Sequence, residues 1–86
     1  MRVIFRDSNC DGAMSVAKVS YAEWWPSCED VGNRDVLSLV TETEFDNTNN
    51  IYVVGITEAQ AEALMRTLYE DGRLDLLNYT VLVDGN

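Results

Sequence analysis

Oxygen-bearing side chains alternate near the start of the chain, in the segment Asp7-Ser8-Asn9-Cys10-Asp11-Gly12. A short apolar run, residues 3–5, directly precedes this segment. Alternate residues of a tight turn face the same side and glycine permits the sharp bend, so Asp7, Asn9 and Asp11 would point their oxygens at one place. Carboxylate and amide oxygens are the ligands of hard divalent cations. The chemistry that this spacing indicates is metal binding.

Two alternatives account for the same acidic turn. An EF-hand calcium loop begins with this pattern, but its twelfth position holds a bidentate glutamate, whereas here that position is Lys18. A cation in place of the main ligand argues against the calcium loop. In the other alternative no metal binds, and the side chains of Asp7, Asn9 and Asp11 cap the free amides of a following helix, whose dipole stabilises acidic groups.

The segment from Val3 to Ser15 resembles the first motif of the DHH phosphoesterase superfamily, which includes RecJ-type nucleases, pyrophosphatases and nanoRNases. In that family a strand runs into an Asp-x-Asp-x-Asp-Gly turn and then into a helix rich in small residues. Residues 51–57 resemble the second strand motif, residues 58–71 the helix after it, and residues 80–84 the strand that delivers the Asp-His-His signature. The resemblance implies a DHH-like fold for almost the whole chain.

The chain departs from the DHH pattern at the residues that carry the chemistry of that family. Asn9 stands at the middle Asp of the first motif, Gly85-Asn86 stand at the two histidines, and the sequence contains no histidine. Sites of this family hold two divalent ions, which activate water and stabilise the displaced oxygens. The resemblance therefore implies a truncated relative with a weakened site. Manganese or magnesium, if either binds, would be held by Asp7, Asn9, Asp11 and Asp84.

Length and composition fit a single domain over residues 1–86. Of the 86 residues, 47% are hydrophobic, which suffices for one core with little margin for a second. No stretch approaches the roughly 20 apolar residues that span a bilayer, and the first residues carry charges where a signal peptide is apolar. We therefore expect a cytoplasmic protein with no membrane contact, whose Cys10 and Cys28 stay reduced.

Acidic residues dominate the charge of the chain. Fifteen Asp and Glu against six Lys and Arg give a formal net charge of −9. Such a surface repels phosphate backbones, which disfavours direct nucleic-acid binding, and it is attracted to basic grooves. The ordinary alternative is that the charge keeps a small protein soluble. The more specific interpretation is a protein partner with a basic surface.

Apolar periodicity and turn residues predict the element order β-α-β-β-α-β. Helical spacing of apolar or small residues runs from Ala13 to Trp24, with Pro26 as its end. A capping box at Thr57 and Gln60 begins the second helix, and Gly72 ends it. The fold class is thus α/β, a small single sheet of about four strands with two helices, either DHH-like or, if the middle strands are antiparallel, ferredoxin-like. The predicted strands are residues 2–6, 36–41, 51–54 and 80–83, and the helices are residues 13–24 and 58–71.

Two functions from different classes remain open. In the first, the chain is a small acidic, non-catalytic binding protein that inhibits or regulates a basic nucleic-acid-binding partner. Compact acidic inhibitors of viral or mobile-element origin, including anti-CRISPR and DNA-mimic proteins, have this size and charge. In the second, it is a minimal DHH-type metal-dependent phosphoesterase that keeps Asp7, Asp11 and Asp84 as ligands.

Candidate partner-binding residues are of two kinds. Acidic pairs beside predicted element ends would meet a basic surface, and exposed aromatic residues mark binding hot spots. For the adjacent tryptophans the alternative is that one ring packs into the core and the other covers its edge. The candidates are Glu42, Glu44, Glu70, Asp71, Trp24 and Trp25.

The missing ligands lead to a first expectation about activity. Purified protein should not hydrolyse phosphodiesters or pyrophosphate in the presence of manganese or magnesium, because a hydrolytic site needs several fixed ligands and an open position for water. Release of nucleotide or phosphate, followed over time, measures this. Turnover that disappears in an Asp11→Ala variant would contradict the non-catalytic interpretation.

Overall fold

The structure, a computed structural model, describes residues 1–6, 14–41 and 50–84. These residues form one six-stranded sheet and one α-helix. Along the chain the elements are β1 (Arg2–Arg6), β2 (Met14–Cys28), a 3-10 turn (Glu29–Val31), β3 (Arg34–Thr41), β4 (Asn50–Val54), α1 (Glu58–Asp71), β5 (Arg73–Asp75) and β6 (Thr80–Asp84). Across the sheet the strands lie in the order β5-β1-β2-β3-β4-β6.

Neighbouring strands of the sheet run antiparallel, except that β1 and β5 are parallel. β3 pairs with β4 in antiparallel register, with Leu37 opposite Val53. The direction of these two strands, which the sequence left open, is therefore that of antiparallel neighbours. Antiparallel strands need no long crossover, which agrees with the short link of residues 42–49 between them.

The α/β class and several predicted elements are confirmed. β1 has the predicted bounds, and β3, β4 and β6 contain the other three predicted strands. α1 begins with the expected capping box, in which Gln60 N donates to Thr57 Oγ1 at 3.2 Å and Thr57 N donates to Gln60 Oε1 at 2.9 Å. It ends at Gly72, whose φ of 72° is a left-handed conformation that glycine adopts freely. Among the described residues, no helix has the length and apolar character needed to cross a membrane.

The predicted order β-α-β-β-α-β, in its DHH-like and ferredoxin-like versions, is wrong in its strand and helix counts. Residues 14–24 lie in the 15-residue strand β2 and not in a helix. This segment is rich in β-branched and aromatic residues, which favour an extended strand. A bulge between Val19 and Tyr21 shifts the in-out alternation by one residue, so that Ala17, Val19, Ala22 and Trp24 all reach the core. That irregular spacing hides the period of two. The helical spacing in the sequence came partly from Val16, Ser20 and Tyr21, which are exposed in the structure.

Pro26 and β5 are two further differences from the prediction. Pro26 lies inside β2, at a second shift of register between Trp25 and Cys28, where its missing N–H costs no ladder hydrogen bond. β5 has only three residues, too few to show a period in the sequence. It forms because it pairs with β1, with Arg73 opposite Arg2.

One face of the sheet, called the inner face below, packs on the main hydrophobic core. α1 contacts β2 and β5 and contributes the buried side chains Ala61 and Leu68. β1 and β6 are not neighbours in the sheet, yet they contact each other, so the sheet curls around this core. The opposite, outer face carries a smaller cluster of Cys28, Val36, Tyr52 and Val54. The main core consists of Val3, Phe5, Val19, Ala22, Leu37, Leu39, Ile51, Val53, Ala61, Leu68, Leu74, Leu76 and Val81.

A tyrosine hydroxyl fastens α1 to the edge of β2. β1 pairs with residues 14–18 of β2, and at the end of that pairing Val19 N donates to Met1 O at 2.7 Å. Beyond it, Tyr69 Oη accepts a hydrogen bond from Ala22 N at 3.0 Å and donates one to Ala22 O at 3.2 Å. Ala22 is buried, where unpaired backbone groups are costly. The Tyr69 hydroxyl therefore makes the two backbone hydrogen bonds of Ala22 that a neighbouring strand would otherwise make.

Replacing Tyr69 by Phe should lower the free energy of unfolding by about 1–3 kcal/mol, because both backbone groups of Ala22 lose their partner. Urea denaturation followed by circular dichroism measures the change. Tyr79→Phe is the matched control, since no hydrogen bond of its hydroxyl is present among the described residues, and it should cost less than about 0.5 kcal/mol. Equal losses in the two variants would show that the Tyr69 hydroxyl does not support β2.

Candidate functional site

Most of the predicted metal site lies outside the described residues. Asp84, the fourth candidate ligand, ends β6, where its backbone pairs with Asn50. Among residues 1–6, 14–41 and 50–84, no group of three or more Cys, Asp and Glu side chains could hold a metal ion. The capping alternative is wrong, because the chain from Met14 onward forms a strand and offers no helix N-terminus. Metal binding stays a prediction. The candidate residues outside the described ranges are Asp7, Asn9, Asp11, Glu42 and Glu44.

Exposed carboxylates line α1. Glu70 and Asp71, which the sequence analysis selected, close its last turn, and both are exposed. Glu58 and Glu62, which it did not select, are exposed nearer the start of the helix. We call these four residues the acidic helix surface. Arg66, the single cation of α1, lies four residues from both Glu62 and Glu70, so the surface holds four carboxylates and one cation.

The last two members of the acidic helix surface lie where a helix disfavours negative charge. Free carbonyl groups make the C-terminal turn electronegative, so cations stabilise it and carboxylates do not. Glu70 and Asp71 occupy this turn, which contains no basic residue. Glu58, in contrast, lies in the first turn, where a carboxylate is stabilised. The helix dipole therefore favours Glu58 and disfavours Glu70 and Asp71, of which Glu70 has an opposite charge four residues before it, Arg66.

An open depression of about 420 Å³ lies on the outer face, across β2, β3 and β4. Strand register places Glu23 opposite Ser38, and Ser38 opposite Tyr52. Tyr21 and Trp25 are 47% and 48% exposed, whereas Ser38 and Tyr52 are buried. The depression therefore has two exposed aromatic rings beside a buried floor. Its lining residues are Tyr21, Glu23, Trp25, Cys28, Ser38, Val40, Asn50 and Tyr52.

The two adjacent tryptophans have different environments. Trp24 is half-buried and packs against the main core, whereas Trp25 projects from the outer face. Adjacent residues of a strand point to opposite faces of the sheet, which separates the pair. Of the two candidate anchors, Trp25 is therefore the one that a partner can reach.

Sequence reasoning missed the depression because it assigned residues 13–24 to a helix. In a strand, alternate positions share one face, so Tyr21, Glu23 and Trp25 lie along one side of β2. On a helix Tyr21 and Trp25 would still share a side, but Glu23 would lie on the opposite one. The signal that could have found them is the β-branched and aromatic content of the segment, which favours a strand.

No protein-family model, curated protein or solved structure matches this chain. The DHH resemblance of the first motif therefore stays a prediction.

The two tryptophans should differ in quenching and in stability. Trp24→Phe leaves Trp25 as the only indole, and acrylamide should quench its fluorescence strongly because the ring is 48% exposed. Trp25→Phe leaves the half-buried Trp24, which should be quenched weakly. Replacement by alanine should cost more stability at the half-buried ring. Trp24→Ala should lower the free energy of unfolding by about 2 kcal/mol or more, and Trp25→Ala should lower it by less than about 0.5 kcal/mol. Equal quenching in the two Phe variants would contradict these environments.

Proposed function

We propose that this protein is a non-catalytic binding protein whose acidic helix surface occupies a basic, nucleic-acid-binding surface of another protein and thereby inhibits or regulates it. The observation that carries the proposal is the pair Glu70 and Asp71 at the C-terminal end of α1. Both carboxylates are exposed in a turn where the helix dipole disfavours them, and Arg66, four residues before Glu70, leaves Asp71 without a cation at that spacing in α1, so the stability of the helix does not account for the pair. A cationic partner does.

The spacing of the acidic helix surface suits a basic groove. Glu58 and Glu62 are four residues apart, which places their Cβ atoms about 5–6 Å from each other on the helix. Glu70 continues the same row after Arg66, and Asp71 lies about 100° further around the axis, so the four carboxylates spread over about 20 Å of the helix. A nucleic-acid strand likewise presents its charges in a row, with one phosphate per about 3.4 Å of duplex axis. A groove that binds such a strand carries Lys and Arg side chains that these carboxylates can meet.

Net charge adds an effect on the rate of association. A formal charge of −9 attracts a basic partner from a distance, which raises the association rate more than the final affinity. The size and charge are those of compact acidic inhibitors of viral or mobile-element origin, including anti-CRISPR and DNA-mimic proteins, and this analogy is one of class. In this proposal the protein acts in the cytoplasm through a protein partner and needs no cofactor.

The test begins with a partner identified by pull-down from the native host and mass spectrometry. A biosensor then measures association rate and affinity from about 50 to 500 mM NaCl, a range over which the Debye length shortens severalfold. Association should slow as salt rises, because screening weakens the attraction between opposite charges. The partner should also lose its nucleic acid as this protein is added.

Reversing the charge of the C-terminal pair should separate binding from stability. Glu70→Lys combined with Asp71→Lys should slow association by about tenfold at low salt, because the attraction becomes repulsion. The same variant should keep or raise Tm, because lysine suits the C-terminal turn of a helix. Loss of binding then has no explanation in unfolding.

A matched control distinguishes the helix from the general charge of the protein. Glu62→Lys changes the acidic helix surface, whereas Glu29→Lys makes the same change at an exposed residue outside α1. The first should slow association and the second should have a small effect. The proposal fails if affinity is insensitive to salt and to both helix variants while Trp25→Ala abolishes it, since the contact would then be apolar.

A further inference from the structure

Cations are concentrated on the outer face of the sheet. In β1, Val3 and Phe5 are buried in the core, so the alternate residues Arg2 and Arg6 project from the opposite face, and both are exposed. Strand register places Lys18 of β2 opposite Arg2. The outer face thus collects positive charge on a chain whose formal net charge is −9.

A third strand extends this charge into a row. β5 pairs with β1 on the side away from β2, with Arg73 opposite Arg2. Because the next residue, Leu74, is buried beside Val3, Arg73 projects from the outer face. We call Arg73, Arg2 and Lys18 the cationic row. Adjacent strands are about 4.8 Å apart, so the three side chains leave the sheet within about 10 Å. Arg6 and Arg34, which lies opposite Cys28 of the outer cluster, bring the outer face to five of the six Lys and Arg of the chain.

The cationic row is unfavourable for the folded protein alone. Like charges directly opposite each other in a sheet destabilise it. Within the part of the chain that the structure describes, none of the three side chains forms an ion pair. Asp75, two residues after Arg73, directs its carboxylate to Leu77 N, from which it accepts a hydrogen bond of 2.9 Å. The row is therefore suited to an anion from another molecule.

The exposed aromatic residues lie on the same face and partly on the same strand. Tyr21 follows Lys18 by three residues, about 10 Å of extended chain, and Trp25 lies four residues further on. Both rings border the depression of about 420 Å³. Glu23 is the one charged residue among the described residues that line the depression, so the cationic row lies outside it. Cations near exposed aromatic rings combine charge attraction with stacking, which is the combination that binds single-stranded nucleic acid.

We propose that the outer face binds single-stranded nucleic acid, with phosphates on the cationic row and bases stacked on Tyr21 and Trp25. A duplex fits less well, because its bases are not free to stack on protein rings. The acidic helix of a second copy could meet the cationic row, but it would leave the aromatic depression without an occupant. The observations therefore favour the nucleic acid.

Net charge does not prevent this binding at physiological salt. Glu70 and Asp71 end α1 only three and two residues before Arg73 of the cationic row, whereas Glu58 and Glu62 lie about 13 Å or more before the end of the helix. Because screening acts beyond about 8 Å, the charges at the start of the helix have little effect on the row. The expectation that an acidic protein repels phosphate assumed an even distribution of charge. The fold instead places the acidic helix surface and the cationic row on different faces, so this inference does not depend on the proposed function.

Fluorescence anisotropy with a labelled oligothymidylate of about 12 nucleotides tests the proposal, with a duplex of equal length as comparison. The single strand should bind more tightly than the duplex at low salt. Three neutralised phosphates predict a slope of about −2 in a plot of log K against log salt, since each contributes about −0.7 for single strands. Arg2→Gln with Lys18→Gln should weaken binding by about tenfold or more and bring the slope to about −0.7.

Two further variants separate stacking from charge. Trp25→Ala should weaken binding by about tenfold with little change of slope, because stacking releases no counterions. Arg66→Gln is the matched control, since it removes one cation from α1 and should leave binding unchanged. Glu70→Lys with Asp71→Lys, the variant expected to lose the protein partner, should still bind the oligonucleotide. Circular dichroism verifies that each variant is folded.

Several results would overturn the proposal. One is the absence of oligonucleotide binding at about 20 mM NaCl, where screening is weak. Another is an equal loss of oligonucleotide affinity in Arg66→Gln and in the cationic-row variant. Sedimentation that shows a dimer, converted to a monomer by the cationic-row variant while no oligonucleotide binds, would assign the row to a second copy of this chain instead. Unchanged binding in Trp25→Ala together with equal affinity for the duplex would remove the stacking component and with it the proposed ligand.

Discussion

The continuity of β2 is the constraint on which the rest of the fold depends. Its first residues pair with β1 and its later residues pair with β3 on the other side, so this one strand joins two halves of the sheet. The change of partner occurs at Val19, which donates to Met1 and faces Thr41. Because a bulge follows directly, the strand can bend there and curl the sheet around the core. The inner and outer faces, and all surfaces built on them, follow from this bend.

Elements with strong local signals could be predicted from the sequence, and elements set by distant pairing could not. α1 is bounded by the Thr57 capping box and by Gly72, both of which act through neighbouring residues. β2 was missed because the bulge after Val19 interrupts the period of two, and because a helical spacing can be drawn through residues that the strand divides between its two faces. β5 was missed because three residues carry no period, and only the partner strand β1 makes them a strand.

The candidate surfaces likewise combine residues that the sequence alone can place with residues that only the folded sheet brings together. The sequence gives the total charge directly, and the alternation in β1 places Arg2 and Arg6 on one face once the strand is known. Whether Lys18 and Arg73 join them depends on register, which is a property of the folded sheet. The carboxylates of α1 could be placed from the sequence because the helix itself could be. The acidic turn lies in residues 7–13, and Glu42 and Glu44 lie in residues 42–49. Both segments are outside the described residues, so what the sequence indicates for them stays a prediction.

The attachment of α1 has a consequence for the order in which the protein forms. Tyr69 reaches back 47 positions to Ala22, and just after the helix Gly72 O accepts a hydrogen bond of 2.9 Å from Arg2 N. Both contacts close large loops of chain, which is slow and costs entropy before any packing is gained. On the ribosome β1 is made first, yet its outer neighbour β5 follows some seventy residues later. That edge of β1 must therefore stay unpaired until residues 73–75 have been synthesised.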